Sequence, residues 1–153
     1  KALSRMNELF RRGEVQKRYW AIVTARPPKE SDTLEHYLVR NEQQNKSYVA
    51  QRPDRPGAKL ARLSYRLLAS GDRYHLVEVE LHTGRHHQIR CQLAAIGCPI
   101  RGDLKYGAAR SNPDGSISLL SRRTTFVHPV SGIALDLTAP VPDEPLWHAL
   151  SGE

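Results

Sequence analysis

The stretch TGRHHQIRCQL, Thr83 to Leu93, poses the first physical problem. Ile89, Leu93 and Ile96 recur at helical spacing and Gly97 follows as a cap, so the pattern predicts a helix over 86–96. Its start carries Arg85, His86, His87 and Arg90. A helix N-terminus already bears roughly half a positive charge, so cations there are unfavourable unless something offsets them. His86 and Arg90 are four apart and His87 and Arg90 three apart, which makes these side chains neighbours. With Arg85 in a first turn whose N–H groups are free, the cluster suits an anion, a phosphate or a carboxylate. The bland alternative is a solvated helix start, costing about a few tenths of a kcal/mol.

Working outward, LARLSYRLLAS and RYHLVEVELHT flank Gly71-Asp72 and predict a hairpin. Its second arm alternates Val77, Val79 and Leu81 with Glu78, Glu80 and His82, giving one dry and one wet face. QKRYWAIVTA, Gln16 to Ala25, is aromatic and β-branched with large apolar groups on both faces, as a covered central strand would be. A weaker strand is expected over 33–40. Residues 41–59, polar and broken by prolines, read as a long loop or flap. A helix is expected over 2–12, strands within SISLLSRRTTFVH and IALDLTA, and a terminal helix over 145–150. The order predicts an α+β fold, a mixed but largely antiparallel sheet flanked by helices, in one domain spanning 1–153.

Of 153 residues, 39% are hydrophobic and 25% charged, an ordinary globular balance. No apolar run approaches the roughly 20 residues of a membrane span, so a membrane partner is not expected. Cys91 and Cys98 stand seven apart in the helical pattern and read as reduced core thiols of a cytoplasmic protein. The net charge of +7 favours a polyanionic partner, RNA or DNA before an acidic membrane. Zinc at His82, His86 and His87 is the competing chemistry, but His82 belongs to the strand and no HExxH or CxxC spacing supports it. A serine hydrolase lacks its GxSxG elbow.

LHTGRHHQIRCQLAAIGCPIRGDLKYG resembles the RluA-type RNA pseudouridine synthases in its TGRxHQIR segment, the helix ending in Gly and the P-I-x-G-D-x-x-Y-G that follows. The family's K-x-Y-x-A-x-V is matched by Lys17, Tyr19, Ala21 and Val23, and its end by FVHPVSG and the strand into Ala139-Pro140. The resemblance covers essentially the whole chain. Gln92 and Leu120 depart from the family's usual residues, which leaves the subfamily open.

The resemblance implies that uridine in ribosomal or transfer RNA is isomerised, with no cofactor and no metal. It implies that Tyr19 packs against the target base and that Arg90 pairs with a catalytic aspartate. It places Lys17, Arg85, His87 and Gln88 at the substrate. Flipping a base out of its stack costs a few kcal/mol, and an aromatic platform recovers about 1–3 kcal/mol. The family's aspartate lies in H-R-L-D-x-x-T-S-G, some tens of residues before K-x-Y, and no aspartate precedes Lys17 here. The expectation is therefore a C-terminal portion of a catalytic domain, inactive alone and completed by an N-terminal fragment of the same protein. A non-catalytic RNA-binding module that keeps the cleft is the alternative. Lys17, Arg18, Arg62, Arg122 and Arg123 are candidates for phosphate contact.

Overall fold

A computed structural model of the chain describes residues 15–153; the helix expected over 2–12 lies outside them. The strands are β1 (Gln16–Val23), β2 (Ser31–Asn41), β3 (Lys46–Val49), β4 (Lys59–Ser70), β5 (His75–Leu81), β6 (Leu119–Val127) and β7 (Ala134–Thr138). The helices are α1 (Gln88–Ala95) and α2 (Pro145–Ser151), with a 3-10 turn at Leu104–Tyr106. The strands form one sheet in the order β3-β2-β4-β5-β1-β6-β7, and every pairing among the described residues is antiparallel.

β1 earns its interior place from its sequence. Ala21, Ile22 and Val23 are fully buried, and alternation sends them to opposite faces. Ala21 and Val23 join Ile89 and Leu93 of α1 in the main core. Ile22 packs on the other face with Leu76 and Trp147 of α2. Trp147 is 3% exposed, so its truncation to alanine would cost about 3–5 kcal/mol.

The loop expected over 41–59 is only partly a loop. β3 lies within it and pairs with the end of β2, Arg40 opposite Ser47 and Asn41 opposite Lys46. Asn45 makes the reversal possible with φ 49, a left-handed conformation asparagine tolerates better than most residues. β2 runs from Ser31, two residues earlier than the pattern suggested.

α1 starts at Gln88, two residues later than expected, because His87 is held left-handed at φ 53 and breaks the helical run. Arg85 and His86 therefore precede the helix, and of these cations only Arg90 lies in its first turn, where Asp103 offsets its charge. At the other end Gly97, at φ 82, closes the helix: its N–H donates to Ala94 O, and that of Cys98 to Leu93 O. Cys98 thus falls beyond the helix, not on its face with Cys91; both thiols are free and buried.

Candidate functional site

The site grows from the turn before α1, from β3, and from the segment after Gly97. Gly102 sets the last of these. It adopts φ +87, and a Cβ there would lie 2.7 Å from both the Asn112 side chain and the Ser116 carbonyl. Only glycine fits, and the chain turns so that Asp103 comes to rest, 1% exposed, against α1.

Asp103 meets Arg90 in a two-pronged ion pair. Nε donates to Oδ2 at 2.9 Å and Nη2 to Oδ1 at 2.8 Å. Nη1 approaches His87 Nε2 at 3.1 Å. A guanidinium can only donate, so this nitrogen is an acceptor and the ring proton sits on Nδ1. Nδ1 lies 2.8 Å from the Tyr106 hydroxyl, which also accepts the Ser47 N–H at 2.9 Å. Burial, then the charge of Arg90 and its neighbours His86 and Lys105, push the His87 imidazole down to about 4, so it is neutral at pH 7. The bond to Asp103 holds Arg90 more firmly charged than a free arginine.

His86 stacks on His87 with centroids 3.8 Å apart. Its Nδ1 lies 3.0 Å from Ser47 Oγ and its Nε2 2.9 Å from Asn45 Oδ1. The β3 hairpin is thereby latched onto the turn that presents Arg90. Cys91, pushed up to about 11 by burial, is an inert thiol within this packing.

The other expected site residues are placed as follows. Gln88 is 3% exposed and braces the turn: its Oε1 accepts the Thr83 hydroxyl at 2.8 Å and the Arg85 N–H at 2.9 Å, while Nε2 donates to Arg62 O. Its amide is thus engaged inside the protein. Arg85, an exposed residue, uses Nε to reach Leu60 O at 2.8 Å. Tyr19 lies on the α1 face of β1, half-buried against the main core and hydrogen-bonded to the Ser121 side chain. Burial raises its phenol pKa. Tyr19 packs against the core cluster that holds Ile89 and Leu93, the residues that flank Arg90 on α1. Lys17 lies two residues before Tyr19, opposite Thr124.

Most of the cations nominated for phosphate are paired within the chain. Arg18 meets Glu78 at 3.2 Å and Glu80 at 3.0 Å, Arg62 meets Glu35 at 3.6 Å, and Arg123 grips Asp136 through Nε at 2.8 Å and Nη2 at 2.5 Å. Arg122 pairs with Glu153 and stacks on Trp20, 4.2 Å from the ring centroid. His82 bonds Ser64 Oγ at 2.8 Å, apart from the stacked pair, and among the described residues no three His, Cys, Asp or Glu side chains converge as metal ligands. Sequence reasoning met Asp103 and Tyr106 only as letters of the P-I-x-G-D-x-x-Y-G motif and missed their contacts to Arg90 and His87, and it missed Ser47. The Asp and Tyr of G-D-x-x-Y-G were the available signal.

Comparison with known proteins places this architecture. The family model described as RNA pseudouridylate synthase matches residues 1–95. An uncharacterized RNA pseudouridine synthase of Chloroflexus aurantiacus is 40% identical over 129 residues, which are 84% of this chain and 39% of that protein. One of Chlorobaculum parvum is 32% identical over 160 residues, 94% of this chain and 49% of that protein. Human RNA Pseudouridylate Synthase Domain Containing 4 superposes with a TM-score of 0.73 at 25% identity, covering 92% of this chain and 63% of its own. Human RNA Pseudouridylate Synthase Domain Containing 1 shares the fold, with a TM-score of 0.74 at 22% identity. The chain belongs to the RNA pseudouridine synthase family, and its motifs are of the RluA type. It spans half or less of the length of these two bacterial relatives.

Proposed function

We propose that the intact protein isomerises uridine to pseudouridine in ribosomal or transfer RNA. The N1–C1′ bond of a flipped uridine breaks, the uracil turns, and C5 joins C1′; N1 gains a proton and C5 loses one. An aspartate from a segment N-terminal to Lys17 acts as nucleophile or sugar-deprotonating base, and residues 1–153 are the C-terminal portion of that catalytic domain. The isomerisation is redox-neutral and imports no group, so it calls for neither cofactor nor metal. The protein works in the cytoplasm, a compartment that its two free, buried thiols suit.

The observation that carries this reading is the state of Arg90. A guanidinium has five N–H donors. Asp103 takes two and His87 one, leaving one on each Nη group. The side chain keeps 21% exposure. A fixed, charged, half-used guanidinium suits a second carboxylate, which it would keep ionised and aim. Tyr19 carries the base by stacking, the role its partial exposure permits. The test is to incubate unmodified ribosomal and transfer RNA with the intact protein, digest to nucleosides and look for pseudouridine by chromatography. Its formation supports the reading, and RNA that is bound but never converted would support the non-catalytic alternative instead.

A further inference from the structure

A second feature beside the Arg90 cluster remains without an assignment. The rim of the β2–β3 hairpin and the turn before α1 enclose a groove of about 460 Å³, lined among others by Arg40, Glu42, Gly57, Lys59, Arg85 and His86. Strand alternation explains its cations. Arg40 stands two residues after buried Leu38 on β2, and Lys59 two residues before buried Ala61 on β4. Leu38 and Ala61 pack under α1 with Cys91 and Tyr106, so Arg40 and Lys59 share that face and emerge where the packing ends. Lys59 is the strand partner of Leu38, and Arg40 the partner of Ser47, whose hydroxyl binds His86. Arg85 joins them from the turn, aimed by its bond to Leu60 O.

We propose that this groove is a track for the phosphates of the RNA strand that delivers the uridine, with Arg40, Lys59 and Arg85 as its cations. The inference rests on the RNA reading above. Three charges converge on the groove, with Glu42 as the acid in its lining. Arg18, Arg62, Arg122 and Arg123 are all ion-paired, whereas among the described residues no acidic group lies within ion-pairing distance of Arg40 or Lys59. Like charges gathered without an internal counterion repel, and the chain tolerates that cost where a polyanion supplies the missing charge. Phosphodiesters fit because they demand charge and donors and no base-specific geometry. The Nη groups of Arg85 offer such donors, and the track leads along the same turn to His87 and Arg90.

The test is RNA affinity of the intact protein as a function of salt, measured by fluorescence anisotropy with a labelled single-stranded RNA. Each lost phosphate contact removes about 0.7 from the slope of log K against log salt. The R40A/K59A double variant is expected to flatten the slope by about 1.4 and to weaken binding about 25-fold near 0.1 M salt. Both residues are exposed and make no ion pair among the described residues, so the variant should fold. Arg123→Ala, which removes a guanidinium already held by Asp136, should leave the slope unchanged. An unaltered slope in R40A/K59A, in a protein whose wild type converts uridine, overturns the track alone. A wild type that neither binds nor converts RNA overturns the track together with the functional reading beneath it.

Discussion

Asp103, 1% exposed beneath α1, grips Arg90 side-on through Nε and Nη2, and that pair fixes the direction of the only arginine in the helix. Asp103→Asn keeps the shape and removes the charge, leaving a part-buried guanidinium without its counterion. Breaking such a pair costs about 3 kcal/mol, read as a lower urea midpoint with the m-value unchanged. Pseudouridine formation should fall with it, even under conditions where the variant is fully folded. Retained turnover in the folded variant would show that the pair is structural only.

Arg90→Ala in the intact protein should abolish turnover and leave most RNA affinity, because the groove cations remain. Arg90→Lys should not rescue it: an ammonium cannot hold Asp103 with two parallel bonds while also reaching His87. Loss of binding with unchanged chemistry would contradict the role given to Arg90.

Tyr106 matters through its hydroxyl, which accepts the N–H of buried Ser47 and faces His87 Nδ1. Tyr106→Phe keeps the ring over which Lys46 and Arg90 lie, with Arg90 5.0 Å from its centroid, but strands that N–H. The expected loss is about 1–3 kcal/mol in chemical denaturation. A neutral outcome would mean that the β3 latch does not depend on this hydroxyl.

His87 titrates at about 4 in the fold, below the usual 6.5 of an unfolded histidine, through burial first and Arg90 second. Burial also lowers His36, His75 and His86. Between those limits the unfolded chain binds more protons than the native one. The stability contributed is therefore full above about pH 6.5 and falls as pH drops toward 4. Equilibrium unfolding across that window should show the decline, and His87→Gln should make it shallower. A slope identical in wild type and variant would mean that His87 is solvated and pairs with neither Arg90 nor Tyr106.

The strands were legible where burial leaves a periodic mark. β1 shows apolar groups on both faces, and the β4–β5 hairpin announces itself through alternation around Gly71-Asp72. β3 was hidden because only four residues pair at a sheet edge, where exposed Tyr48 and Val49 carry no core signature. The helix start was misplaced because nothing in the composition of GRHHQ reveals a left-handed His87, a conformation held by contacts to Arg90 and Tyr106. Neighbours three residues apart on a helix could be inferred, and His87 with Arg90 was. The Asp103 anchor, thirteen residues away around a glycine turn, could not be read from spacing.

The most direct test of the central claim is tritium release from RNA carrying 5-tritiated uridine, run with the intact protein and with its Arg90→Ala variant. Isomerisation through C5 must expel the label, so release by the wild type and none by the variant is the expected result. RNA that the wild type binds without releasing tritium would contradict the account and leave a binding module built on the synthase fold.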